Sequence, residues 1–188
     1  KLSKVESLRV ESHPKFKELE DKVVELEEKV LTLEKNQDEL EQYGRRNALR
    51  IWLREPETAG ENTDTIVLDV AKSLNVPLVD GEIGRSHRVG RPRNGKPRAI
   101  IVKFISHNVR QKLYKARKNN SGIFISEDLT KRRSNIMYLA RGLRRQNKIH
   151  SCWTTDGRMF IREAKPHRND QGKVVQIHNK SDLDIYSG

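Results

Sequence analysis

From Phe16 onward the apolar positions step by alternate threes and fours: Phe16, Leu19, Val23, Leu26, Val30, Leu33, then Gln37 and Leu40. This is a heptad seam, with Phe16, Val23, Val30 and Gln37 at a and Leu19, Leu26, Leu33 and Leu40 at d. Lys15, Lys22 and Lys29 fall at g, while Glu20, Glu27, Glu34 and Glu41 fall at e. In a parallel pairing each g lysine meets the e glutamate of the next heptad; in an antiparallel pairing like would face like. The pattern predicts parallel self-association, with exposed charge pairs setting orientation more than energy. Val at a with Leu at d leans towards two strands, but Phe16 and Gln37 at a blur that preference and leave two or three open. His13-Pro14 predicts a helix start, and Leu2 and Val5 continue the seam upstream.

The period changes at "QYGRRNALRIWL" (residues 42–53). Gly44 ends the helix, Arg45 and Arg46 follow, and "ALRIWL" alternates with Leu49, Ile51 and Leu53 on one face and Arg50 and Trp52 on the other, as a half-buried strand does. A helix capped at Asn62 or Thr63 comes next, with Ile66, Val70 and Leu74 at helical spacing. Then come a strand-like "EIGRSHRVG", a turn "RPRNGKP" and the strongest strand signal, "RAIIVKF". A second helix starts near Ser106, with Val109, Leu113 and Ala116 predicted inward and Arg110, Lys112, Lys115 and Lys118 outward. "NNSG" ends it and "IFISEDL" makes a further strand. The order is β-α-β-β-α-β, the ferredoxin-like plan shared by RNA-recognition motifs.

Beyond residue 129, "LTKRRSNIMYLARGLRRQNK" predicts a helix capped near Thr130, with Ile136, Leu139, Ala140 and Leu143 on its apolar side. "IHSCWTTDGRMFIRE" is a hairpin signal with Asp156-Gly157 at the turn. A loop "KPHRNDQG", a strand "KVVQIHN" and a short helical "SDLDIY" complete the chain. The expected class is therefore α+β: a parallel coiled coil (1–44), a ferredoxin-like RNA-recognition motif (45–129) and a small α/β C-terminal domain (130–188).

Charge sharpens this division. The 188 residues carry a formal +12. Residues 1–44 hold 8 Lys+Arg against 12 Asp+Glu, a net −4, and residues 45–188 hold 30 against 14, a net +16. A folded region at +16 repels itself, and a polyanion is the partner that relieves it. Only 34% of residues are hydrophobic, as expected when a long helix takes much of the chain. There is no run of 18 apolar residues to span a membrane and no apolar core of the signal-peptide type at the start. The leading Lys is what a piece of a longer chain would show. A lone cysteine, Cys152, offers neither an internal disulfide nor a zinc set, and fits a reducing compartment.

No constellation of catalytic residues emerges. "GRPRNGK" (90–96) matches the opening of a phosphate-cradling P-loop, but Pro97 replaces the required Ser or Thr and a strand follows instead of a helix. The six histidines are scattered singly. The arginines of a basic zipper would precede the heptads; here they follow a glycine and lead into a strand. No enzyme, metal or cofactor is expected. On or near the sheet lie Arg50, Arg85, Arg88, Arg91, Arg93, Lys96, Arg98 and Lys103. Third-strand positions that carry stacking aromatics in an RNA-recognition motif are Ala99 and Ile101, which leaves Trp52 as the single stacking candidate. Phosphate contacts should then dominate, with strong salt dependence and weak sequence preference. The competing expectation is a coiled-coil adaptor whose ferredoxin-like domain binds protein.

The heptad helix running into "RRNALRIWL", followed by "SHRVG", "PRAIIVKF", "KAR", "IFISEDLT" and "KRRSNI", resembles the RNA-binding protein of the first open reading frame of LINE-type non-LTR retrotransposons. The resemblance spans residues 15 to about 185. It implies a parallel coiled coil, usually trimeric, carrying an RNA-recognition motif and a small C-terminal domain. Such an assembly coats the element's own RNA, binds single-stranded RNA and DNA, acts as a nucleic-acid chaperone and forms a cytoplasmic ribonucleoprotein, with nuclear entry left open. Carried over by motif, the RNA-contacting arginines are Arg45 or Arg46, Arg98, Arg117, and Arg132 or Arg133. With the sheet cations and Arg141 of the C-terminal helix, the candidate interface comprises Arg45, Arg46, Arg50, Trp52, Arg88, Arg91, Arg98, Lys103, Arg117, Arg132, Arg133 and Arg141. The candidate oligomer seam comprises Phe16, Leu19, Val23, Leu26, Val30, Leu33 and Leu40.

Overall fold

A computed structural model describes residues 2–92, 97–117, 122–164 and 172–186, with side chains from Lys15 onward. Arg93, Lys96, Lys118 and residues 165–171, where the sequence predicts a loop, lie outside the described residues, as do the side chains of Leu2 and Val5. The chain divides into two units, Lys1–Glu41 and Gln42–Gly188.

The first unit is most of helix α1 (Leu2–Gly44), which is a single 43-residue element. It passes through Pro14 without a break, where the sequence predicted a start. A proline removes one amide donor, and a helix this long keeps its others. The seam residues Phe16, Leu19, Val23, Leu26, Val30, Leu33 and Leu40 are all exposed in the single chain. Within the chain Lys22 pairs with Glu18 and Lys29 with Glu25, both as exposed i,i+4 contacts. Such pairs support a helix by tenths of a kcal/mol, roughly 0.2–0.5 each, and do nothing to cover the apolar stripe.

The second unit holds two antiparallel sheets, each with its own core. The first is built from β1 (Ala48–Trp52), α2 (Thr63–Ser73), β2 (Ile83–Val89), β3 (Ala99–Phe104), α3 (His107–Ala116) and β4 (Phe124–Glu127), with strand order β2-β3-β1-β4. Asn62 caps α2 by accepting from the amides of Asp64 (2.9 Å) and Thr65 (3.3 Å), and Ser106 caps α3 by accepting from Asn108 (3.1 Å). The alternation of the strands sets one face to the helices. Leu49, Ile51, Ile100, Val102, Phe104 and Ile125 pack there against Val67, Val70 and Ala71 of α2 and Val109 and Leu113 of α3. The opposite face carries no part of this core.

The second sheet, β5 (Ile149–Thr155), β6 (Arg158–Glu163) and β7 (Val174–Ile177), lies in the order β5-β6-β7 and packs against α4 (Lys131–Arg145). A short 3-10 turn, Ser181–Tyr186, closes that core with Leu183. Thr130 caps α4 by accepting from the amide of Arg133 at 3.2 Å. The inward stripe of α4 is Ile136, Met137, Ala140 and Leu143; Leu139, expected inside, is 38% exposed because Met137 takes the core-facing position on the same turn. Asp156 and Gly157 join β5 to β6 with φ of +50° and +76°, the two left-handed residues that a type I′ hairpin turn requires.

A second departure from expectation concerns Arg110. Placed outward by its charge, it is instead 1% exposed. Its guanidinium donates to the Glu127 carboxylate at the end of β4 and lies 4.8 Å from the Tyr114 ring centre, and Asp156 of the hairpin turn stands 3.4 Å away. Glu127 also accepts from the Gly157 amide at 3.2 Å, and the Tyr114 hydroxyl donates to the Thr154 carbonyl at 3.2 Å. Glu127 of β4 and Asp156 of the hairpin thus supply the acceptors that let an arginine be buried.

Candidate nucleic-acid interface

The helix-free face of the first sheet is fixed by strand register. His87 pairs with Ile101 and Ile101 with Arg50, which pairs with Ser126 on its other side. Along one direction the next pairs are Trp52 with Phe124 and Val89 with Ala99; along the other, Arg85 with Lys103 and Lys103 with Ala48. The surface is therefore graded, aromatic at one end, mixed in the middle and cationic at the other. Arg85, His87, Lys103 and Phe124 are exposed, and Arg50, Trp52, Ile101 and Ser126 are partly exposed.

Arg85 and Lys103 are like charges directly opposite each other across β2 and β3, and among the described residues neither has a carboxylate partner. Facing cations destabilise a sheet, and an anion between them removes the penalty. Arg50 and Arg45 are handled differently. Arg50 donates through Nε to one oxygen of Asp128 (2.6 Å) and Arg45 to the other (2.8 Å), and Asp128 is almost fully buried. One carboxylate thus holds two guanidiniums, each about one-third exposed, leaving a net positive charge. Arg46 lies over the Tyr43 ring at 4.0 Å.

Arg88 and Arg98 meet at a cleft of about 500 Å³ lined by Glu57, Glu61, Thr63, His87, Arg88 and Arg98. Arg88 pairs with Glu61 at 2.6 Å and donates to the Arg98 carbonyl at 2.7 Å; its side chain is only 6% exposed, so it is engaged in structure. Glu57 accepts from both the guanidinium and the backbone amide of Arg98. The Arg98 side-chain hydrogen bond holds the Glu57 carboxyl below its ordinary range, and the Arg88 hydrogen bond does the same for Glu61. Arg98 keeps 31% of its side chain exposed, more than Arg88. Arg91 is exposed beside this cleft in sequence.

The remaining candidates sit elsewhere. Arg117 lies over the Tyr114 ring at 3.7 Å and donates to the Tyr114 carbonyl. On α4, Arg132 donates to Asn179 (2.5 Å) and Arg133 to the Gly157 carbonyl (3.1 Å), so adjacent residues serve different contacts. Arg141 is exposed on the same helix. Burial pushes the nearby Cys152 thiol up, against the opposing charges of Arg141 and Arg144. Phe124 was not among the candidates. The alternation of "IFISE" puts Phe124 and Ser126 on one face, but a four-residue strand carries a weak signal.

The chain matches no family model and no curated protein.

Among the described residues no three His, Cys, Asp or Glu side chains converge as a metal site, and no helix is long and apolar enough to cross a membrane.

Proposed function

We propose that this chain is a non-enzymatic, self-associating protein that binds single-stranded RNA and DNA, acts as a nucleic-acid chaperone and packages retrotransposon RNA into a ribonucleoprotein. The observation that carries this reading is the Arg85–Lys103 pair, two exposed cations in register on a sheet face free of helices. A phosphate backbone crossing there turns a repulsion into two contacts. In this reading the first sheet and its two helices form an RNA-recognition motif, with Arg45, Arg50, Lys103 and Arg98 contacting phosphate. Arg88 holds the Glu61 loop. The LINE-type resemblance supplies the RNA class.

The exposed seam of α1 supports the second half of the reading. A second and a third copy bury Leu19, Val23, Leu26, Val30 and Leu33 in a parallel coiled coil, trimer favoured over dimer. Several RNA-binding units on one assembly then raise avidity without any new contact, which suits coating a long strand.

The deciding experiment is a salt titration of affinity for unstructured single-stranded RNA. The logarithm of affinity should fall linearly with the logarithm of salt, by about 0.7 per phosphate contact. A flat response would sink the polyanion reading and favour a protein-binding adaptor. Replacing Arg98 and Arg117 with Ala should weaken binding and leave the oligomer intact. Labelled RNA incubated with magnesium or manganese should stay uncut, while complementary strands should anneal faster in the protein's presence.

A further inference from the structure

Two rings form the aromatic end of the open sheet face. Trp52 of β1 and Phe124 of β4 are direct cross-strand partners, with ring centres 5.2 Å apart and planes tilted by 54°. A face-to-face stack would hide one side of each ring; at this tilt the two rings are not stacked in parallel. Phe124 is left 60% exposed. An exposed phenylalanine on an edge strand is a liability that natural sheets avoid by placing charge or proline there. Across the sheet from this pair, Val89 and Ala99 are too small or aliphatic to stack, and Ile101 occupies the central position of β3. Among the described residues, the six-membered aromatic rings of this face therefore lie at its β1–β4 side, with the His87 imidazole on β2 at the other edge.

Resting on the nucleic-acid reading above, we propose that Trp52 and Phe124 together form a stacking subsite for one unpaired nucleobase. The strand's phosphates would run towards Arg50, Lys103 and Arg85 along the same face. The surroundings select this occupant. One register step away stand Arg50 and His87, and the region from residue 45 onward carries +16. A ring beside the Arg50 guanidinium in so basic a region suits a ligand that couples a planar apolar face to negative charge, and a nucleotide is that ligand. A base in a duplex is hidden between its neighbours, so the subsite would confer a preference for single strands that phosphate contacts alone do not give.

The test compares a 20-nucleotide oligoadenylate with an abasic strand of the same length and charge. Phe124→Ala should lower affinity for oligoadenylate by roughly five- to a hundred-fold, the range for losing one stacked base. It should leave affinity for the abasic strand unchanged and keep the salt slope of both. Phe124→Leu, which keeps apolar bulk without a ring, should behave like Phe124→Ala. In a Trp153→Phe background, Trp52 is the sole tryptophan, and its fluorescence should be quenched by oligoadenylate and not by the abasic strand. Unchanged oligoadenylate affinity in Phe124→Ala, wild-type binding by Phe124→Leu, or an absence of quenching would each overturn the subsite while salt-dependent binding stood. Failure of the wild-type protein to bind either strand would instead overturn the nucleic-acid reading on which it rests.

Discussion

Arg110 and Glu127 face each other as an ion pair whose side chains are only 2% and 1% exposed. Breaking one half leaves the other charge buried without its partner, at a cost of about 3–5 kcal/mol. Glu127→Ala should show this loss in urea unfolding. Arg110→Met combined with Glu127→Gln should cost less than the two single changes summed, because no orphan charge remains.

Gly157 should not accept a side chain. Its φ is +76°, and an added Cβ would come within 2.6 Å of Gln42 Cγ. Gln42 cannot swing aside, because its amide donates to the Asp128 carbonyl and accepts from the Thr130 amide, both at 3.0 Å. Gly157→Ala is expected to destabilise by about 1–3 kcal/mol from backbone strain alone. A lower thermal midpoint for the variant would report it, and Gln42→Ala in the same chain should recover part of the loss.

Leu26→Asp and Leu33→Asp place charge on a seam already open to solvent in the single chain. Neither touches the core of either sheet. Sedimentation equilibrium should give a monomer for the variant and, for the parent, two or three copies. The near-ultraviolet circular dichroism of the Gln42–Gly188 unit should be unchanged.

Glu57 occupies the guanidinium and the amide of Arg98 in the way a phosphate oxygen would. Glu57→Gln should release Arg98 and steepen the salt dependence of single-strand binding by about 0.7, one further phosphate contact. Glu61→Gln should give a smaller change, since Arg88 is nearly buried. Because Arg98 holds the Glu57 carboxyl low, acid reproduces this release only below its ordinary 4.5. The stability that the pair contributes is present above that value and is lost as pH falls through the depressed one.

Tyr186 behaves in the opposite sense. Burial, the Glu163 hydrogen bond and the Glu163 charge push its hydroxyl from 10.0 up to about 12. Below 10 both folded and unfolded states keep the proton; between 10 and about 12 only the folded state does, so stability falls as pH rises through that window. Tyr186→Phe should flatten the alkaline slope of the melting temperature, with Tyr114, also raised chiefly by burial, accounting for what remains.

What the sequence discloses here is what local chemistry controls. Asn62, Ser106 and Thr130 are legible as caps because the amides they satisfy lie within three residues. Leu49, Ile51, Ile100 and Val102 are legible because a strand alternates. Arg110 is not, since a charge on a helix reads as solvent-facing until Glu127 and a hairpin 46 residues away cover it. The carboxylates that hold Arg98, Arg88, Arg45 and Arg50 lie between 27 and 83 positions off. A list of arginines therefore contains both structural and available cations, and only their partners separate them. Of the α1 seam, the spacing is legible and the number of copies is not, because Val and Gln at a pull in different directions.

Hairpin tips are ordinarily where a chain accepts extra residues or a break. The Asp156-Gly157 tip is the reverse. Its carbonyl takes Arg133, its amide is bound by Glu127, and its aspartate reaches His107 at 3.1 Å and Arg110. In a library of inserted peptides or circular permutants, this turn would be among the least permissive points of the second unit. The exposed stretch at Gly90 and Arg91, where an added Cβ at Gly90 would meet nothing, would be a better place to open the chain.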